Sequence, residues 1–294
     1  IVSRNTRLAF RISGKTWVNN HAHVIKPNRE VNIGFLCDYL ESLNYEQYNS
    51  GTAQPKLNKQ TCNLLPIAIP SSLVEQEAIA EALSDADAWI ESLEQLITKK
   101  RLIKQGAMQE LLTGKRRLPG FSADWSLRRL GDVLTVRHGK DQKLVVNSNG
   151  RFPILATGGE IGRTNSFLCS VPSVLIGRKG TINKPQYMDS PFWSVDTLFY
   201  TEVQPPNNAK FLYYRFWLID WLRLNEASGV PSLNSRTIES LEIRIPAGQE
   251  QFAISEFLTH VDLELEALEA KLAKARRIKQ GMMQELLTGR IRLV

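Results

Sequence analysis

Four short stretches hold most of the side chains able to grip a polyanion or match the edge of a base: His138-Gly139-Lys140, Arg163-Thr164-Asn165, Arg178-Lys179-Gly180-Thr181 and Asn183-Lys184. Arg4, Arg7, Arg11, Lys15, Asn19 and Asn20 form a looser set near the start. Lys and Arg neutralise phosphates, and contacts of that kind carry no sequence information. Base edges call for paired donors and acceptors, which Arg, Lys, Asn and Gln supply. Arg178 and Lys179 stand out because they directly follow the apolar run Ser173-Val174-Leu175-Ile176 and lie between Gly177 and Gly180, residues that permit close backbone approach. Asn58-Lys59-Gln60 and Asn234-Ser235-Arg236 occupy matching places in the two halves of the chain. That equivalence suits a structural or phosphate-binding role for Asn234 and Arg236 better than a choice of bases. For every loop cation the competing expectation is plain solvation.

Other chemistries find little support. The run Gly158-Gly159-Glu160-Ile161-Gly162 is neither a dinucleotide fingerprint nor a Walker loop, and reads as a turn. His21 and His23 alternate on one face of an expected strand, but no acidic or thiol cluster joins them, so no metal is expected. Cys37, Cys62 and Cys169 are far apart and form no CxxC pair; they read as buried or incidental thiols in a reducing cytoplasm. There is no nucleophile elbow, no zincin helix, and no glycine loop with the Asn/Asp-Pro-Pro-aromatic motif of an adenine methyltransferase. No catalytic residue is therefore assigned. The net charge of +7 favours a polyanionic partner. No run reaches the roughly 18 apolar residues that a membrane span needs.

The elements that must carry these loops come as a duplication. Lys104-Gln105-Gly106-Ala107-Met108-Gln109-Glu110-Leu111-Leu112-Thr113-Gly114 recurs from Lys279 to Gly289 with only Ala107/Met282 changed, an offset of 279 − 104 = 175. The same offset carries Ile79, Leu83, Ala86, Ile90, Leu93 and Ile97 onto Ile254, Leu258, Val261, Leu265, Leu268 and Leu272. Alternating steps of four and three make the seam of a coiled coil. Two helices are predicted, from about Val74 to Leu112 and from about Gln249 to Leu287. Each follows an Ile-Pro pair and each ends at Leu-Leu-Thr-Gly, whose glycine suits the left-handed cap. Roughly 40 residues at 1.5 Å each make a rod of about 60 Å. The simplest way to bury both stripes is an antiparallel pair with a pseudo-twofold axis; two separate helices, each lying on its own domain, is the alternative.

The texture between the rods is α+β. Strands are expected at Val133–Val136, Ser173–Ile176, Thr197–Tyr200 and Leu241–Ile245, with one helix across Ala209–Leu224. The predicted division is 1–73, the C-terminal part of a first globular domain; 74–118, a first spacer helix; 119–248, a second domain; and 249–294, a second spacer helix. Residues 1–70 parallel only the back half of the second domain. Ser50-Gly51 and Leu57-Asn58 answer to Ser228-Gly229 and Leu233-Asn234, and Trp17-Val18-Asn19-Asn20 lies near the equivalent of Trp193-Ser194-Val195-Asp196. The counterpart of about 119–175 is expected to lie ahead of Ile1.

This order of domain, long helix, domain, long helix resembles the specificity subunit of Type I restriction–modification systems. Leu118-Pro119-Gly120-Phe121 with Trp125 and Leu130-Gly131-Asp132 resembles the opening of a target-recognition domain. Ala156–Asn165, followed by Leu175-Ile176-Gly177-Arg178-Lys179-Gly180, and the Ser-Gly…Leu-Asn and Ile-Pro endings resemble its later parts. The resemblance covers nearly the whole chain and departs only in the incomplete first domain. It implies two target-recognition domains joined by two antiparallel coiled-coil helices, each domain reading half of a bipartite double-stranded DNA target. It also implies two methyltransferase subunits that use S-adenosylmethionine to modify adenine at N6, with translocating nuclease subunits completing the enzyme. This chain would hold no cofactor, meet no membrane and catalyse nothing. Gln109, Glu110, Gln284 and Glu285 are candidate docking residues for two copies of one partner; their alternative role is to anchor the adjoining domains. A protein-only coiled-coil scaffold and a fused enzyme are the competing readings of the whole chain.

Overall fold

The computed structural model describes residues 8–49, 51 and 56–293; Arg4 and Arg7 lie outside the described residues. In chain order the helices are α1 (Ile33–Ser42), α2 (Lys59–Asn63), α3 (Leu73–Leu111), α4 (Ala209–Phe216), α5 (Ser235–Ser240) and α6 (Gly248–Leu286). The strands are β1 (Ser126–Arg129), β2 (Leu134–His138), β3 (Phe152–Ala156), β4 (Gly159–Thr164), β5 (Ser173–Gly177), β6 (Gln186–Met188), β7 (Trp193–Ser194), β8 (Leu198–Val203) and β9 (Glu242–Ile245). The class is α+β, as the sequence predicts.

Helices α3 and α6 begin and end one residue earlier than expected. Each stops on the glycine foreseen: Gly114 has φ 74° and Gly289 φ 72°, where an L side chain would be strained. The Thr113 and Thr288 hydroxyls donate to the carbonyls of Gln109 and Gln284, occupying groups that the helix ends leave open. The seam is buried where the spacing places it, at Ile79, Leu83, Leu93 and Ile97 in α3 and at Ile254, Leu258, Val261 and Leu265 in α6.

Contacts divide the chain into two units, Ile1–Lys99 with Glu266–Val294, and Lys100–Leu265. Each long helix therefore contributes to both, unlike the linear division drawn from the sequence. In the first unit, Glu94 meets Arg276 at 2.6 Å and Asp87 meets Lys279 at 2.5 Å. In the second, Lys100 meets Glu264 at 2.6 Å and Lys104 meets Asp262. In each unit the partner's number falls as the α3 number rises, so the helices run antiparallel.

In the second unit, β2-β8-β5-β6 form an antiparallel sheet. Strands β4-β3-β7 form another, with β3 and β7 parallel, and β1 pairs with β9. Strand β5 is buried on both faces, which explains its unbroken apolar run. Val174 and Ile176 face a core with Phe199, Phe211, Phe216, Trp221, Ile254 and Leu258, which also takes in Leu111 and Leu112. Leu175, Leu198 and Tyr200 face a second core with Leu155, Cys169 and Phe192. The period of two along β5 and β8 thus feeds both layers. Each such apolar side chain removed from water contributes roughly 1.5–3 kcal/mol before entropy is counted.

Two expectations need correction. The helix predicted across Ala209–Leu224 ends at Phe216; a short 3-10 turn, Trp221–Leu224, follows a break. The buried Trp221 ring packs beside Phe216 at 5.0 Å, and its indole N–H donates to the Phe216 carbonyl, a contact a continuous helix would forbid. The strand expected around His21 and His23 does not form; residues 8–31 carry no strand. Trp193 is 9% exposed and pairs through β7 with Ile154 of β3, whereas the equivalent Trp17 (193 − 176 = 17) is 95% exposed.

Helix α1 of the first unit is the equivalent of α4. Asn32 caps α1 by accepting from the Gly34 and Phe35 N–H groups, and Asn208 caps α4 by accepting from Phe211 N–H. Phe35 packs with Ile79, Ala80, Leu83, Leu286 and Leu287.

Candidate nucleic-acid interface

Strands β2 and β5 finish at the same end of the four-stranded sheet where β8 and β6 begin, because β8 is antiparallel to both β2 and β5, and β6 to β5. The loops after residues 138 and 177 and before residues 186 and 198 must therefore share one edge. Hydrogen bonds tie these loops together. The Lys140 N–H donates to the Ser194 carbonyl at 2.8 Å, and the Lys140 carbonyl accepts from the Trp193 indole at 3.0 Å. A Cβ on Gly139 would lie 1.9 Å from the Val195 oxygen, so only glycine lets this loop lie flat. Arg178 and Lys179 N–H groups both donate to the Thr197 carbonyl, at 2.8 and 3.1 Å. Gly180, at φ 88°, donates to the Pro231 carbonyl at 2.9 Å, and Lys179 bridges to Ser232. Gln186 Nε2 donates to the Ala156 carbonyl at 2.9 Å, drawing in the β3–β4 hairpin tip.

This edge brings together His138, Lys140, Arg178, Lys179, Thr181 and Lys184. Lys140, Lys179 and Lys184 are exposed, and no side-chain partner holds them among the described residues. His138 is exposed too, with its ring edge-on to Phe199 at 4.8 Å. Arg178 is partly exposed, its Nη1 donating to the Asp196 carbonyl at 3.2 Å. The bridge to Ser232 brings the loop before α5 alongside. Asn234 caps α5 by accepting from the Arg236 N–H at 3.0 Å, which is a structural role; the Arg236 side chain is exposed. Asn58 caps α2 in the same way through the Thr61 N–H.

Arg163 and Asn165 are not brought to this edge. They lie at the far end of the β3–β4 hairpin, roughly 13 Å along the strand from its tip at 3.3 Å per residue. All three Arg163 nitrogens are engaged, by the Gly150 carbonyl (2.9 Å), the Arg151 carbonyl (2.9 Å) and Glu160 (3.0 Å). Asn165 Oδ1 accepts from the Arg151 N–H at 3.2 Å. Both residues pin the loop that enters β3. In the first unit, Arg11, Lys15, Asn19 and Asn20 are exposed on the irregular segment, and Asn19 Oδ1 accepts from the His21 N–H at 3.1 Å.

Gln109 and Gln284 are exposed at the helix ends, while Glu110 and Glu285 turn to Arg116 (3.6 Å) and Arg290 (3.5 Å). Cys169 is buried and Cys37 and Cys62 are partly so; burial pushes the Cys62 and Cys169 thiols up from the ordinary range, away from thiolate character. Among the described residues no group of His, Cys, Asp and Glu could hold a metal ion. Among those residues no helix is long and apolar enough to cross a membrane.

The residues that sequence reasoning missed lie just beyond the repeated motif. Arg117 forms a two-pronged pair with Glu250, Nε–Oε1 at 2.5 Å and Nη2–Oε2 at 2.6 Å. Arg292 does the same with Glu75, at 2.5 and 2.6 Å. The offset of 175 relates Arg117 to Arg292 and Glu75 to Glu250, so the signal was present in the repeat register. Gln76 accepts from the Asn32 N–H at 2.7 Å as Gln251 does from the Asn208 N–H at 2.9 Å. Asn49 accepts from the Gly51 and Lys56 N–H groups as Asn225 does from those of Ala227 and Ser232.

Comparison with known proteins agrees with this architecture. A family model, Type I restriction modification DNA specificity domain, matches residues 4–100 and 122–276. The chain belongs to that family and, as a specificity subunit, its role is DNA recognition. It is 25% identical over 267 residues to S.HindORF215P of Haemophilus influenzae, an inferred type I restriction enzyme specificity subunit, covering 83% of this chain and 68% of that one. It is 23% identical to the type I restriction enzyme MjaVIII specificity subunit of Methanocaldococcus jannaschii, covering 83% of this chain and 66% of the relative. The chain thus spans about two thirds of the length of these relatives. The S subunit of the type I restriction–modification system from M. genitalium has the same fold, with a TM-score of 0.67 at 19% identity, covering 87% of this chain and 73% of that one.

Proposed function

We infer that this chain reads a bipartite target in double-stranded DNA and scaffolds two copies of a methyltransferase subunit, without catalysing a step itself. S-adenosylmethionine and the N6 modification of adenine belong to the partner, and translocating nuclease subunits complete the restriction enzyme. The observation that carries the reading is the recurrence of one set of anchors in both units: Arg117–Glu250 and Arg292–Glu75, Lys104–Asp262 and Lys279–Asp87, Gln251 and Gln76. A duplicated frame suits two equivalent partners and two half-sites. The loop edge with Lys140, Arg178, Lys179 and Lys184 is the DNA-facing part of the second unit, with Arg236 beside it. Lys15, Asn19, Asn20, Arg11 and Arg4 are the candidates of the first. Exposed Gln109 and Gln284 are the proposed docking positions at the helix ends.

The test is single-molecule sequencing of N6-methyladenine in DNA from cells carrying the chain with a methyltransferase encoded beside it. Methylation confined to one split motif, with one half changed by swapping residues 119–248, is expected. Methylation that does not depend on the chain overturns the reading and leaves a protein-only scaffold. Converting Gln109 and Gln284 together to Ala is expected to weaken methyltransferase assembly in size-exclusion chromatography; unchanged assembly removes them from the docking surface.

A further inference from the structure

We propose that Arg178 is the residue of the second unit that reads a guanine in the major groove, while the lysines around it hold phosphates. The proposal rests on the DNA-reading role above and assigns a base to one side chain. Reading a base needs a donor pair held in place before the DNA arrives, because ordering a long side chain on binding costs affinity. Arg178 is held in this way. Its N–H donates to Thr197 at 2.8 Å, and its carbonyl accepts from the Leu233 N–H at 2.9 Å, so its Cα is fixed from both sides. The turn behind it is tight, since a Cβ on Gly177 would lie 2.1 Å from the Thr181 oxygen. One Nη1 hydrogen goes to the Asp196 carbonyl at 3.2 Å, which orients the guanidinium. A guanidinium has five N–H donors, so four remain, including the parallel pair that fits O6 and N7 of guanine.

The neighbouring cations differ in the features that matter. Arg163 has every nitrogen engaged by Gly150, Arg151 and Glu160, and lies away from the edge. Lys140, Lys179, Lys184 and Arg236 are exposed, with no side-chain partner to fix them among the described residues. Untethered cations suit phosphates, which accept a point charge from many directions. Among the described cations of this edge, Arg178 alone combines a fixed backbone, an oriented guanidinium and open donors.

The experiment uses the assembled complex with its methyltransferase. The motif is first determined by sequencing N6-methyladenine, and the half that follows residues 119–248 is identified by swapping that segment. Each guanine of that half is then replaced in turn by 7-deazaguanine, which lacks the N7 acceptor, and duplex binding is measured for the wild-type, R178A and R178Q complexes. One guanine is expected to lose roughly 5- to 150-fold in wild-type affinity, and R178A should not respond to that replacement. R178A should also relax that position of the methylation motif. R178Q carries the amide that pairs with adenine N6 and N7 and should turn the preference toward adenine at the same place, so it answers the question if R178A fails to fold. K184A should weaken all duplexes alike and lower the salt slope by about 1 without changing the motif. A half-site without guanine, or a deaza penalty equal in wild-type and variants, overturns the assignment while the DNA-reading role stands. Absence of any motif sinks the role itself.

Discussion

Replacing Glu250 with Ala should harm the protein more than replacing its repeat equivalent Glu75, although the two carboxylates make the same pair of bonds. Both are buried, with side-chain exposures of 3% for Glu250 and 6% for Glu75. Their arginines differ: the Arg117 side chain is 23% exposed and that of Arg292 is 58% exposed. Arg117 is further held by the Ala123 carbonyl at 2.8 Å and by the Trp125 ring 5.8 Å away. Removing one partner of a buried pair costs roughly 3–5 kcal/mol because the other charge is left stranded. Water reaches part of Arg117, so a lower figure of about 2–3 kcal/mol suits Glu250→Ala. For a unit of this size each kcal/mol moves the midpoint by roughly 2–4 °C, giving a fall of roughly 4–12 °C. Arg292 can turn to solvent when Glu75 is lost, so Glu75→Ala should shift its transition by clearly less. The assay is thermal unfolding of the whole chain with hydrogen exchange of each unit, because two units need not melt together. The swapped double variant Arg117→Glu with Glu250→Arg should recover part of the loss. Equal or reversed effects of the two single variants would refute the argument from arginine exposure.

Arg163→Ala should lower the stability of the second unit, by about 1–2 kcal/mol for three partly exposed hydrogen bonds, and leave the methylation motif unchanged; a relaxed motif at normal stability would make it a reader after all. Tyr214, whose hydroxyl donates to Asp262 at 2.6 Å, has its ionisation pushed up by burial and by that carboxylate. Tyr214→Phe should cost about 1.5 kcal/mol in chemical unfolding, the low end for a bond to a charged group, because Lys104 still pairs with Asp262. The Arg292 guanidinium holds the Glu75 carboxyl below its usual range, and Lys100 does the same for Glu264. A depressed carboxylate pKa adds stability above the unfolded value of roughly 4.3, and that stability is lost as pH falls through the folded pKa. Melting temperature should therefore drop below about pH 4, and Arg292→Gln should blunt the drop; a transition that strengthens on acidification contradicts the sign.

The helices, their antiparallel pairing and the duplicated frame were legible in the sequence because they follow from local periodicity and self-similarity. A seam of steps four and three has few ways to be buried, and Gly114 and Gly289 mark ends that only a left-handed residue can make. Arg178 and Lys179 were also legible, since a buried strand running into a glycine-flanked basic pair must present that pair at the strand's end. The pairing of strands decided the rest. Arg163 and Arg178 look alike as basic residues on loops, yet register places one against three acceptors at the foot of a hairpin and the other at the open edge. Trp193 is buried through the pairing of β7 with β3, 39 residues earlier at Ile154, because a strand is stabilised by partners remote in sequence. Arg117 and Glu250, 133 residues apart, meet only once α3 and α6 have packed. Local pattern specifies an element, but which side chains remain free to act depends on contacts that close only in the folded chain.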